Sequence, residues 1–490
     1  MKFFKLYGWM AFCLGGHLFA QNAFDAYRYS SFDFGSTART MGVGGALGAL
    51  GTDFAVIGTN PAGIALNRQS VFTLSPAFVA NTTDSRLSND PEGLSSRETI
   101  SKLNLSNFGI IVFSDPRSEQ WSAFNFGMGM NRLQQFNQNI FFDGHSLGSI
   151  TDQFVEEAND ADNYNPFGAG VAIDAEAVYD LDEDGTYETD YQLASDAVLY
   201  RQQYVTRSGS MNELSFAFAG NFQERIMFGL SVGVPIVNFT QTKVYTEEDQ
   251  GDGPDGSVPY FDNLAFREYL NTTGTGLNFK FGMIFRPAQA FRLGIGVHTP
   301  TFFSLEDNFT SDMEYQYTVE DGEVVEASGE SPDGYFNYKL RTPWRFLGSA
   351  AVIIEQFGFI SAEVEYVDYG NAAFNYDNFQ LEERQVNSDI AATFGSALNV
   401  RAGAEFVYDV LRFRAGVAVL PSAILGEKIT NPTWSLGAGF VQKGYFVDVA
   451  YRFGNLQQTY LPYNSATGVN QLVNTDLALN KLLFTLGVRF

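Results

Sequence analysis

Several things are scarce in this sequence. Of 490 residues, one is cysteine, three are histidine and 15 are proline. A single cysteine excludes an intramolecular disulfide framework and any thiolate metal cluster. Three histidines leave little from which to build a multi-histidine metal site or axial haem ligation. Basic residues are few: 30 Lys+Arg face 56 Asp+Glu, a formal charge of −26. So acidic a chain is unsuited to nucleic acid, which is bound by neutralising phosphates. Beyond the first twenty residues no apolar run is long enough for a transmembrane helix, and mean hydropathy is only −0.10. Yet 45% of residues are hydrophobic, which excludes wholesale disorder. The abundant residues are Gly (48), Phe (47) and Tyr (24), a composition suited to a β-rich protein, soluble or membrane-embedded.

The N-terminus reads as an address. Lys2 and Lys5 form a basic region, Leu6 to Phe19 an apolar one, and Leu18-Phe19-Ala20 before Gln21 a cleavage site. This is the pattern of a secretory signal peptide over residues 1–20, not of a membrane anchor. Cys13 lies in its apolar core. Phe12 precedes it where a lipidation signal requires a small residue, which argues against a lipidated N-terminus. Cleavage removes the cysteine, His17 and both lysines, taking the charge from −26 to −28 and leaving His145 and His298.

From Ser70 onward the dominant period is two. Ile226, Phe228, Leu230, Val232, Val234 and Ile236 alternate with Gly229, Ser231 and Gly233; Leu482, Phe484, Leu486, Val488 and Phe490 alternate with Lys481, Thr485 and Arg489. A soluble sandwich alternates too. Two features favour a transmembrane barrel. The polar face repeatedly carries small residues and full charges, as a wet lumen requires, and the connections alternate short and long. Short ones fall at Asp115-Pro116, Gln223-Glu224, Pro287-Ala288, Glu355-Gln356, Asp409 and Lys443-Gly444. The longest polar stretch is 142–206. Segments between these connections number about fourteen, the even count of single-chain bacterial barrels. Tyr408, Trp434, Tyr445 and Tyr451 are candidates for interfacial girdles, and the apolar alternation ending at Phe490 resembles the C-terminal signal of outer-membrane proteins. The expected fold is therefore all-β: an antiparallel transmembrane β-barrel of about 14 strands over residues 69–490, in the bacterial outer membrane.

Residues 21–68 do not alternate. They contain Gly42, Gly44 and Gly45 in Met41-Gly-Val-Gly-Gly-Ala46, then Gly51-Thr52-Asp53, then Asn60-Pro61-Ala62-Gly63. A phosphate loop would need a preceding strand, GxGxxG spacing or a following lysine, all missing here. Gly and Ala instead allow backbones to approach closely, as in a plug. The order Ala38-Arg39, Gly42 to Ala46, Asp53, then Asn60-Pro61-Ala62 resembles the N-terminal hatch of FadL/TodX-type outer-membrane transporters, and the wording around Met41 to Ala46 most resembles Bacteroidetes members. The resemblance covers the whole architecture, with its sharp matches confined to the hatch.

The resemblance implies a fourteen-strand barrel plugged by the hatch. It implies passive uptake of long-chain fatty acids or aromatic hydrocarbons, captured at external loops and released through a kinked third strand into outer-membrane lipid. It also implies insertion by the barrel assembly machinery, a monomer and no enzymatic activity. The alternative within the same architecture is a surface docking or secretion partner. Gly127, Gly129, Asn131 and Arg132 are the lateral-exit candidates, because glycine inside a strand can mark a bulge. Arg292, His298, Arg341 and Arg401, assigned to the lumen face by alternation together with Arg345, Arg414 and Arg452, are candidates for binding a carboxylate; residues of this kind more often pair with wall carboxylates or hold the hatch. Asp180, Asp182, Asp184, Thr186 and Glu188 match the start of a calcium loop, with Gly185 at the sixth position and Tyr191 where the bidentate Glu belongs. Structural calcium is thus the one candidate cofactor. His145 and His298 belong to no readable nucleophile motif.

Overall fold

The structure, a computed structural model, describes residues 22–33, 35–88, 90, 95–161, 164–251, 258–319, 322–466 and 468–490. The expected signal peptide lies outside them. Fourteen antiparallel strands close into a barrel. In order they are Val71–Leu87, Ser96–Ser114, Trp121–Gln135 continued by Gln138–Leu147, Val198–Phe222, Ile226–Glu248, Phe261–Phe285, and Phe291–His298 continued by Phe302–Thr318. The eighth strand runs in three pieces, Val324–Glu330, Gly334–Arg341 and Arg345–Ile354. Then follow Gly358–Asp368, Ser396–Tyr408, Leu411–Pro421, Thr430–Gln442, Tyr445–Tyr460 and Val473–Arg489. The last pairs with the first from Val71↔Arg489 to Leu87↔Val473, so the sheet closes on itself.

Burial decides between sandwich and barrel. The large apolar residues point out and stay exposed: Phe218 54%, Leu230 61%, Ile360 57% and Leu436 57%. Charged residues point in and are buried, with Lys280, Glu363, Glu365, Arg401 and Arg414 at most 5% exposed. Only a lipid-facing wall around a polar interior distributes residues this way. Tyr408, Trp434, Tyr445 and Tyr451 all lie exposed on that wall. On one side the turns are tight. Glu224 and Asp409 adopt positive φ (57° and 53°), and Gly444 takes φ 96°, as two-residue hairpins favour.

On the other side the strands run far past the membrane. Val198–Phe222 has 25 residues where a bilayer needs about 9–11. The longest external loop is therefore 148–197, shorter than the 142–206 expected. Polar residues in the extended strands resemble loop in sequence but pair with neighbouring strands. This loop folds into helices Ile150–Asn159 and Ala169–Asp174 and packs with the strand tips into a dome. The dome's own core includes Phe142, Phe154, Leu199, Tyr245, Phe266 and Tyr315.

Candidate functional site

The hatch satisfies its own backbone before it meets the wall. Its helix Ala23–Ser30 is capped by Asn22 in a capping box with Asp25, and Ala38–Gly42 by Thr37. The 3-10 turns Phe54–Gly58 and Pro61–Leu66 are capped by Asp53 and Asn60. Each side chain accepts an otherwise orphaned N–H. Asn60 does more: its amide donates to the carbonyl of Gly48 at 2.8 Å and to that of Met283 in the wall at 3.2 Å. Pro61 follows as first helical residue and Ala62 is fully buried. Gly44 (φ 66°) sits so near the eleventh strand that a Cβ would lie 2.9 Å from Val417 N. Gly45 (φ 89°) abuts Arg401, and Gly42 abuts Arg414.

Basic wall residues grip this hatch. His298 Nε2 donates to Thr59 O at 2.7 Å, and Arg292 to Leu50 O at 3.0 Å. Arg401 pairs with Glu363 and Glu365, and Glu363 accepts the Gly48 N–H at 3.0 Å. These three carboxylate-binding candidates thus hold the plug or pair with wall carboxylates. The fourth, Arg341, is on the outside. In the piece Gly334–Arg341 the inward residues are Phe336, Tyr338 and Leu340, while Lys339 and Arg341 are exposed. Above the membrane the polarity rule inverts, because the interior there is apolar and the exterior is water. A break at 342–344, containing Pro343, resets the phase so that Arg345 points in.

Alternation placed Arg452 and Arg345 on the lumen face but did not reach their hatch partners. Asp33 of the hatch accepts two bonds from Arg452 (2.7 and 2.6 Å) and one from Lys481 (3.3 Å). Arg345 pairs with Glu365, donates to the carbonyl of Ser30 at the end of the first helix and lies 4.2 Å over the Phe32 ring. That helix lies in an aromatic chamber. Tyr27 stacks on Phe394, Tyr29 meets Phe136 edge-on, and Phe239, Phe303, Phe336 and Tyr338 complete the surroundings.

Among the described residues, the wall has a seam between its second and third strands. Second and third strands pair only from Ser114↔Phe124 to Asn107↔Asn131. Beyond that the second strand pairs with the first alone, and the third with the fourth alone. Two irregularities produce the parting. Pro76 in the first strand accompanies a bulge that leaves Ser106 unpaired, and a bulge between Arg132 and Gln134 throws Leu133 out of register. The third strand then passes inside its neighbours, since the lumen-facing Asn81 donates to Asn137 O at 2.8 Å. Gly127 and Gly129 do not mark this bulge. Both sit in regular register, and a Cβ on them would lie 2.6 Å from Ile57 and from Phe54 respectively. They are glycine because the hatch packs on them. Asn131 and Arg132, by contrast, border the bulge. The hatch is bonded to it: Asp33 N–H donates to Leu133 O (2.6 Å), and Ser36 to Asn131 Oδ1 (2.9 Å).

In the dome, oxygens of Asp180, Asp182 and Asp184 lie within 4.8 Å of one another. Gly185 N–H donates to Asp180 (2.9 Å) and Thr186 N–H to Asp184 (2.8 Å). Glu188 is outside that group, paired backbone to backbone with Tyr179. Burial raises the Asp152 carboxyl to about 6, Glu247 and Glu156 adding to it, and burial also raises Glu157 and Asp190. A groove of about 300 Å³ lined by Tyr451, Phe453 and Ala478 opens on the lipid-facing wall, away from the hatch.

A closed barrel with an apolar outer belt, a plugged lumen and a covered outer end is an outer-membrane β-barrel fold. Among solved structures it is the fold of a Pseudomonas aeruginosa FadL homologue. The identity is 12%, with 93% of this chain and 98% of that chain covered at a TM-score of 0.55. The P. putida toluene transporter TodX is similar over the same shares at 12% identity (TM-score 0.53). The Ralstonia pickettii toluene transporter TbuX is similar at 11% identity over 95% of this chain and 100% of that chain (TM-score 0.50). No family model matches the sequence, and no curated protein does.

Proposed function

We propose that the protein is a passive outer-membrane channel for small hydrophobic molecules, with long-chain fatty acids or aromatic hydrocarbons as the substrate range. The observation that carries this is the seam. The wall parts between second and third strands beside an aromatic chamber, and the hatch is bonded to the bulge that parts it. An apolar molecule that enters under the dome gains by leaving sideways into lipid, because the route spares it the polar lumen. The similarity in fold to toluene transporters supports the same reading. In this reading the first helix occupies the chamber until cargo replaces it, and Arg345, which holds the helix by its last carbonyl, then meets the cargo's polar end.

Uptake of labelled oleate and toluene by cells with and without the gene tests the proposal. Faster uptake of either supports a channel. Equal uptake of both rejects it and favours the docking role, for which the folded dome provides a surface.

A further inference from the structure

Away from the hatch, the wall carries a groove that the proposed route does not use. It measures about 300 Å³, and Tyr451, Phe453, Asn455, Ala478 and Asn480 are among its lining residues. All five point outward from the last two strands, where Phe453 pairs with Asn480 and Asn455 with Ala478. Ala478 is the small member of the set and leaves the gap. The Tyr451 and Phe453 rings stack at 5.7 Å and are 41% and 39% exposed. The Tyr451 hydroxyl donates to Asn480 Oδ1 at 2.5 Å, which leaves the Asn480 NH2 to donate elsewhere.

The backbone fixes the height of this groove. The twelfth and thirteenth strands pair from Gln442↔Tyr445 as far as Thr433↔Gly454. Pro432, next in line, has no N–H to donate, and a Cβ on Gly454 would lie 2.9 Å from the Pro432 carbonyl oxygen. Among the described residues, 455–460 then pair with the last strand alone, so one edge of their backbone is open. Open backbone is too costly in hydrocarbon, so the hydrocarbon ends near Gly454. Residues 445–453 below it match the roughly 9–11 that cross a bilayer. Trp434, opposite Phe453 and 52% exposed, sits where interfacial tryptophans belong. The groove thus straddles the membrane boundary on the side of the dome, with rings below and amides and open backbone above.

We propose that the groove holds one lipid of the outer leaflet, a glycolipid whose sugar bears the acyl chains. The groove is continuous with the lipid-facing wall, so its occupant comes from the membrane. One acyl chain lies along Tyr451 and Phe453 over Ala478, and the sugar's hydroxyls and amides meet Asn455, Asn480 and the open edge. No charged side chain lines the groove among the described residues. The outward charge on these two strands is Asp476, opposite Gln457 and beside Asp84, which Arg97 engages at 2.6 Å. A phosphate finds no cation at the groove, whereas a sugar finds both donors and acceptors. The lipid is a resident of the wall and not cargo.

Native mass spectrometry of the barrel in detergent tests this, with lipid A (an acylated glucosamine disaccharide), phosphatidylethanolamine or phosphatidylglycerol added. Wild type is expected to retain a single lipid A about tenfold more readily than either phospholipid, the worth of one good net hydrogen bond. Ala478→Leu fills the groove and should bring lipid A down to the phospholipid level. Asn455→Leu with Asn480→Leu should remove the preference while leaving the seat of the chain. Heat-modifiable migration verifies that each variant is folded, and Ala478→Val replaces Ala478→Leu if the latter is not. A lipid A preference that survives the filled groove places the lipid elsewhere and overturns the site. Wild type that retains the three lipids alike, or a phospholipid best, overturns the glycolipid.

Discussion

Asp33→Ala should loosen the hatch. The Asp33 carboxylate receives both guanidinium nitrogens of Arg452, the Lys481 ammonium and the Gly35 N–H. Its own backbone N–H anchors the bulge at Leu133. Removing one member of a buried ion cluster leaves the others charged and unpaired, at roughly 3–5 kcal/mol when burial is complete. The Asp33 and Arg452 side chains are each 25% exposed and Lys481 11%. Screening therefore brings the cost to roughly 2–3 kcal/mol. If the penalty falls on the seated hatch alone, the unseated fraction rises about 30- to 150-fold. Purified protein in planar bilayers reads this as the frequency of conducting events. Adding Arg452→Met and Lys481→Met to Asp33→Ala removes the stranded charges and should return the frequency towards wild type. An Asp33→Ala channel as quiet as wild type would refute the latch. A triple variant as open as the single one would show that lost contact matters, not stranded charge.

Phe54 is 1% exposed and its ring fills the space left by Gly109 and Gly129. Phe54→Ala should cost about 3–5 kcal/mol of stability, read from denaturant unfolding in detergent, and a loss below about 1 kcal/mol would mean the hatch is not packed there. The dome should be steadier in acid. Asp152, Glu157 and Asp190 all have raised carboxyl values, so the folded loop binds protons that the unfolded loop has released. Stability from Asp152 is complete below its ordinary value near 4 and is lost as pH rises through about 6. Hydrogen exchange of helix 150–159, corrected for intrinsic rates, should show more protection at pH 5 than at pH 7.5. The reverse order would contradict the assignment, and Asp152→Asn should flatten part of the difference. For the acidic loop, calorimetric titration with calcium should give a heat that Asp182→Asn with Asp184→Asn diminishes. The absence of heat would leave it a solvated loop.

The barrel was legible because its rule is local. Within the bilayer every second residue meets lipid, so period two and turn length suffice for strand number and parity. The same rule misplaced Arg341. Once a strand rises above the membrane the apolar side faces the chamber, and only the long ladders of the structure show where that inversion occurs. The hatch motif was legible as a compact Gly/Ala segment and the clamping arginines as lumen-facing residues, yet their partners were not. Asp33 and Arg452 lie 419 residues apart, and no spacing rule reaches that far.

The seam is the more instructive case. Glycines in the third strand suggested a bulge, since glycine often marks one, but here they mark the seat of Ile57 and Phe54. The bulge residue is Leu133, whose side chain is unexceptional in a strand. What displaces it is not in the third strand alone. Pro76 cannot donate to the ladder, and it sits in the first strand opposite Leu105, at the bulge that orphans Ser106. A proline in a central strand argues against regular pairing in its neighbour as well as in its own strand. It is a further local signal of the seam, two strands away from Asn131 and Arg132, which border the bulge. Closing the ladder there would require both the proline and the Leu133 bulge to go, so a Pro76→Val change alone should leave the third strand kinked.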